Sequence, residues 1–203
     1  MKKAISVILS AILVFSVLSV NAFAFDPYNP SETLTEYLEM GLKVKVTVFD
    51  DFEKVEQIIA FKDNKFSFTI KMLDQEFKGI FKDNTLYLYP ANFPFIHIAM
   101  ETDMDSVFSE DIGEIEYEPE FIRSYTYEDL TVYEYKSEDI LLKCYVENND
   151  ELIKIESIYT ENQYTTIEIL ETGISDKEFD LPLFSFNLMP IFEFLSKIGL
   201  FNF

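Results

Sequence analysis

From Leu42 onward the side chains alternate in character with a period of two residues, and that period restricts most of this chain to half-buried β-strands. Leu42, Val44, Val46 and Val48 alternate with Lys43, Lys45, Thr47 and Phe49. The pattern returns over Val55 to Phe61. It then runs through Phe66, Phe68, Ile70 and Met72 against Lys65, Ser67, Thr69 and Lys71, and through Glu76 to Phe81 and Thr85 to Tyr89. It resumes at Phe121 to Tyr127, Leu130 to Lys136, Ile140 to Val146, Leu152 to Tyr159 and Tyr164 to Leu170. Short turn sequences separate these runs. Phe61-Lys62-Asp63-Asn64 recurs as Phe81-Lys82-Asp83-Asn84, and Asp and Asn tolerate the left-handed backbone of a tight hairpin. Connections this short force neighbouring strands to be antiparallel. About ten strands exceed what a flat layer carries, so the expected fold is α+β, mostly antiparallel β, with one curved and partly closed sheet.

Three segments depart from the alternation. Asn29-Pro30-Ser31-Glu32 is a helix start, with Asn29 as N-cap and Pro30 in the first helical position, and Gly41 is the stop. Leu34, Tyr37 and Leu38 give this helix one apolar face, which is expected against the sheet. From Pro90 to Pro119 the alternation fails, and an insertion or lid with a short helix over Met104 to Ile112 is expected there. The early helix and this segment are expected against the hollow face of the sheet. Leu181 to Phe203 is almost wholly apolar, with Glu193 and Lys197 its charges beyond Pro182. Pro182 and Pro190 interrupt it, and the 13 residues after Pro190 would rise only about 20 Å as a helix against a hydrocarbon core of about 30 Å. A helix plugging an open end of the sheet, or docking to a partner or bilayer, is expected of residues 183–203, and no transmembrane span.

Residues 1–24 have the form of a secretory signal: Lys2 and Lys3, an uncharged run from Ala4 to Val20, and Ala22-Phe23-Ala24 before Phe25. The mature chain, one domain over 25–182 with the apolar 183–203 segment after it, is therefore expected outside the cytoplasm, whether secreted, surface-bound or periplasmic. Removing Lys2 and Lys3 leaves 14 basic against 37 acidic groups, a charge of −23. Nucleic acid and anionic membrane surfaces would repel such a chain. The densest acidic stretch, Glu101 to Asp139, holds Asp103 and Asp105 at the spacing of a hard-cation loop. No glycine and no closing Glu follow at the right distance, so no metal is expected. Cys144 and His97 are single representatives of their types, both among apolar neighbours and neither within a nucleophile motif. No catalytic motif and no cofactor-binding loop is present, and a non-enzymatic protein is expected.

The helix, the meander through Phe81-Lys82-Asp83-Asn84-Thr85-Leu86-Tyr87-Leu88-Tyr89-Pro90, the interruption and a second set of strands resemble the LolA/LppX-like carriers of lipoproteins and lipids. The closing half of the likeness lies in Tyr145-Val146-Glu147-Asn148-Asn149-Asp150-Glu151-Leu152-Ile153-Lys154-Ile155-Glu156, Thr165-Thr166-Ile167-Glu168-Ile169 and Phe179-Asp180-Leu181-Pro182. It covers roughly Pro30 to Pro182. The resemblance implies an unclosed half-barrel with helices over its concave face and a hydrophobic ligand such as an acyl chain. The lining of such a hollow would come from Val44, Val46, Ile59, Phe66, Phe68, Ile70, Phe77, Leu86, Leu88, Leu142, Ile153, Ile155, Ile167 and Ile169. Two readings stay open for these residues: a ligand cavity, or a core filled by the side chains themselves. Two readings of function follow, a lipid-binding envelope carrier, or an interaction domain docking on an envelope protein through Leu183 to Phe203.

Overall fold

Alternating sequence becomes alternating structure wherever two strands can satisfy each other's backbone groups while one face leaves water. The computed structural model describes residues 26–27, 30–51, 53–72, 75–102, 119–137, 140–147 and 150–190. It is mostly antiparallel β-sheet with one short α-helix, α1 (Pro30–Met40). The described strands are β1 (Leu42–Asp50), β2 (Glu53–Lys62), β3 (Lys65–Met72), β4 (Gln75–Lys82), β5 (Thr85–Pro90), β6 (Ile96–Glu101), β7 (Glu120–Tyr127), β8 (Leu130–Ser137), β9 (Ile140–Val146), β10 (Leu152–Thr160), β11 (Gln163–Thr172) and β12 (Phe186–Asn187). Twelve strands are described where about ten were expected. Two were not foreseen, and β6 replaces part of the insertion expected over Pro90 to Pro119. Its six residues alternate, but His97 and Ala99 give little polar contrast to Ile96, Ile98 and Met100, so the period is faint. The helix expected over Met104 to Ile112, the N-cap Asn29 and the tail from Ile191 lie outside the described residues.

The chain divides into two compact units, Met1–Asp63 with Ile112–Ile174, and Asn64–Asp111 with Ser175–Phe203. In the first, the strand order is β2-β1-β11-β10-β9-β8-β7, antiparallel throughout. The pairing of β1 with β11 joins segments more than a hundred residues apart: Val46 lies opposite Ile167, and Val44 opposite Ile169. Leu42, Val44 and Val46 have no accessible surface, and each such aliphatic burial contributes about 1.5–3 kcal/mol. Helix α1 packs against β1 and β2. Just before it, the carbonyl of Pro27 accepts a 2.7 Å hydrogen bond from the Tyr135 hydroxyl, and register places Tyr135 on the same face as Val48 and Leu142. Pro27 is therefore held on the aliphatic face of this sheet at β8. Gly41 ends the helix at φ 92°, its amide bonding Leu38 and its carbonyl accepting from Gly173 and Ile174.

Bulges interrupt four ladders of this unit. Leu170, Ile153, Tyr159 and Ile122 are the extra residues, and Leu170, Tyr159 and Ile122 are exposed. A bulge turns the following side chains to the other face, which is why large apolar groups stand in water at these points.

In the second unit the order is β12-β6-β5-β4-β3, with only the β12–β6 pair parallel. The Asp83-Asn84 turn between β4 and β5 has φ 52° and 55°, the left-handed pair expected of it, and Asp63 has φ 52°. On one face of β3 and β4 a 3₁₀ turn, Asp176–Phe179, is fixed by ion pairs from Lys65 to Asp176 at 3.2 Å and Lys78 to Glu178 at 3.5 Å. Phe179 is buried there, as are Ser67 and Ile80 of the same sheet face.

Candidate binding faces

Apart from Ile153, the sequence-derived lining residues share one face in each unit by register. In the first unit the register runs Ile59–Val44–Ile169 in one row and Val46–Ile167–Ile155 in the next, with Leu142 opposite Ser157. Val44, Val46, Ile59, Ile155 and Ile167 are buried to within 2% of complete closure, so their contacts are with neighbouring side chains. Leu142 and Ile169 keep some surface. Ile153 sits at a bulge, and Leu152 takes the wholly buried position instead.

Gln57 belongs to the same face and is the residue the alternation passed over. It lies directly opposite Val46, is 1% exposed, and neither its amide nitrogen nor its amide oxygen has a hydrogen-bond partner among the described residues. The available signal was a polar residue at the inward parity of β2, between Val55 and Ile59.

The second unit brings together Phe66, Phe68, Ile70, Phe77, Leu86 and Leu88. Phe66 opposes Phe81, which opposes Leu86 and through it Met100; Phe68 opposes Gly79, Leu88 and Ile98; Ile70 opposes Phe77. The rings form a platform: Phe66 stacks on Phe81 at 5.3 Å and on Phe68 at 6.0 Å. Gly79 makes the platform possible. A Cβ at this position would stand 2.2 Å from the Phe68 ring, so that ring lies directly over the bare glycine backbone. Phe66, Phe68, Ile70 and Phe81 are buried, whereas Phe77, Leu86, Leu88, Ile98 and Met100 stay half-buried. At the end of this unit Phe93, Phe95, Leu183, Phe184 and Phe186 are exposed, with Phe93 and Phe95 edge to face at 5.5 Å.

The opposite face of the first unit carries the charges, and they are paired. Across strands, Lys45 bridges Glu56 and Glu168 and Tyr145 donates to Glu156 at 2.6 Å beneath the Lys154 ammonium; within β10 itself Lys154 pairs with Glu156 at 2.7 Å. Glu134 is the most enclosed of these carboxylates. Arg123 at 2.6 Å, Tyr125 at 3.0 Å and Lys143 at 3.5 Å converge on it, and the Arg123 hydrogen bond leads the causes that hold its pKa below the usual carboxylate range. Individual Lys and Glu residues were legible as the wet half of each alternation; their pairing required the register.

Nucleophilic chemistry finds no support at Cys144. It is completely buried, and burial pushes its thiol up to about 12, so it stays a neutral thiol at ordinary pH. His97 is also buried, its Nδ1 lacks a partner among the described residues, and desolvation lowers its pKa, which keeps the ring neutral. Among the described residues no three His, Cys, Asp or Glu side chains gather into a metal-holding group; Asp103 and Asp105 lie outside them. None of the described helices is long and apolar enough to cross a membrane. No protein-family model and no curated protein matches the chain. The likeness to LolA/LppX-like carriers rests on the residues quoted for it alone.

Proposed function

We propose that this chain is an exported, non-catalytic envelope protein that holds a lipid-like or acylated molecule against the apolar face of its antiparallel sheet, in an unclosed half-barrel of the LolA/LppX-like kind. The observation that carries this reading is the second unit's face. Six residues marked by alternation alone share that face by register, with stacked rings at its centre and half-buried aliphatic groups around them. A filled core would close over such groups, whereas an acyl chain laid across Leu86, Leu88 and Phe77 would remove about 25 cal/mol per Å² of apolar surface from water. The test is native mass spectrometry with organic extraction of the chain from Phe25 onward, purified from its own envelope. A co-purifying acyl species, and uptake of oleic acid that Leu88→Lys reduces at least tenfold, is the expected result. Clean protein that takes up no fatty acid or phospholipid would overturn the reading.

One observation favours a second reading. Leu183, Phe184 and Phe186 are 94%, 81% and 75% exposed at the edge strand β12, an exposure suited to docking on an envelope protein through the Leu183–Phe203 segment. Crosslinking in the native envelope separates the two: adducts lost on replacing these three residues by serine favour docking, and adducts unchanged by the replacement exclude it.

A further inference from the structure

Gln57 is expensive where it stands. Along β2 its same-face neighbours are Val55 and Ile59, and across on β1 they are Val46 directly and Val44 and Val48 diagonally, all aliphatic. A buried amide without partners destabilises the fold at each of its unpaired atoms. Leucine would fill the same volume at no such cost. The fold gains nothing from the amide, and natural structures keep an orphaned buried polar group where a water, a ligand or a mechanism uses it.

We propose that Gln57 is the polar anchor of a ligand site on the aliphatic face of the first unit, and that the ligand is an amphiphile whose head group is uncharged and offers a hydrogen-bond acceptor and donor side by side, as a carboxamide does. The inference rests on the lipid-binding reading and adds to it a second face, that of the first unit, with the head group that this face would take. The side-chain amide presents one carbonyl and one NH₂, which pair with a second amide in a ring of two hydrogen bonds. Charge complementarity decides against an anionic head. Lys43, Lys45, Lys54, Lys143 and Lys154 all occupy the other parity of their strands. Helix α1, which packs on β1 and β2, contains no Lys or Arg and contributes the buried Glu36. A carboxylate or phosphate placed against Gln57 would be buried without a counter-charge, whereas a neutral amide satisfies both orphaned atoms. Val46 and Ile59 are closed in this structure, so the hydrocarbon part would reach them only with α1, which packs on β1 and β2, displaced.

The experiment compares oleamide, methyl oleate and oleate at pH 8 as probes, by calorimetric titration of the chain from Phe25 onward and of its Gln57→Leu variant. Oleamide should bind the wild type at least tenfold more tightly than methyl oleate, which lacks the donor, and than oleate, which is charged. Gln57→Leu should melt higher than the wild type and bind oleamide and methyl oleate alike. Wild-type protein that binds all three probes equally overturns the anchor, meaning that Gln57 holds a buried water only, and leaves the lipid-binding reading standing. Failure of every probe overturns both. The wild type alone supplies a second measurement should the variant not fold: the Gln57 side-chain NH₂ resonances should shift with oleamide and not with methyl oleate, and unmoved resonances in an oleamide-saturated sample overturn the anchor.

Discussion

Replacing Gly79 by alanine tests the aromatic platform most directly, because the added methyl has only one place to go. Its Cβ would lie 2.2 and 2.3 Å from two ring carbons of Phe68, against an ordinary carbon–carbon separation of about 3.5–4.0 Å. The ring must therefore retreat by about 1.3–1.8 Å. It cannot retreat freely, because Phe66 stacks beside it at 6.0 Å and Phe81 stacks on Phe66 at 5.3 Å. Overpacking of this kind costs about 1–3 kcal/mol, and a near-backbone clash this close belongs at the upper end. Alanine in a strand recovers about 0.5–1 kcal/mol over glycine. The expected net loss is about 2 kcal/mol, which for a chain of this size lowers Tm by about 4–8 °C. The control is the same substitution without the ring. Phe68→Ala alone should cost about 3–5 kcal/mol, but Gly79→Ala added to it should be neutral or stabilising, a coupling of about 2–3 kcal/mol between the sites. Urea denaturation of the four proteins measures it. A Gly79→Ala protein that melts higher than wild type, or an unchanged penalty once Phe68 is gone, would refute the claim that the glycine exists to seat the ring.

Other perturbations have equally definite outcomes. Gly41→Ala should destabilise more than Gly173→Ala: both have positive φ, at 92° and 70°, but a Cβ at Gly41 meets Ile174 at 2.8 Å while one at Gly173 meets nothing within 4 Å. Calorimetry should show about 1–2 kcal/mol of backbone strain at Gly173 and more at Gly41. Glu134→Gln should cost about 1–2 kcal/mol at pH 7, discounted for the water around Arg123. Because the folded-state pKa of Glu134 lies below its unfolded value, wild type keeps this advantage above the ordinary carboxylate range and loses it as pH falls through the folded value. Melting curves of the two proteins should therefore converge in acid, and a constant gap from pH 7 to pH 2 would count against it. Cys144 should resist a thiol-specific disulfide reagent at pH 8 in the native protein and react at once in denaturant. Rapid native labelling would mean that its surroundings open.

Alternation told which face a residue joins and said little about which strand lies beside it. Phe66, Phe68, Ile70, Phe77, Leu86 and Leu88 were legible together because β3, β4 and β5 follow one another through short turns, so local order and sheet order coincide. The β1–β11 pairing was not legible: no local signal in Val44 or Ile169 names the other, and the pairing emerges only when the whole sheet assembles. Ile153 was misplaced for a related reason. A period of two counted back from Ile155 puts Ile153 inward, but a bulge inserts one residue there and Leu152 takes that position, and bulges leave almost no mark in composition.

Gln57 shows what that limit conceals. Val55, Ile59 and Phe61 mark its strand, and the amide between them is a single polar exception in an otherwise regular pattern. Once register seats it against Val46 with 1% of its surface exposed, the same irregularity becomes a conflict between local chemistry and global packing. Folding alone does not retain such conflicts, because each one narrows the gap between the native state and its competitors. They persist where another demand holds them in place. The aliphatic face of the first unit would be a better core without Gln57, and a ligand that needs both a donor and an acceptor in an uncharged setting is a demand that accounts for its presence.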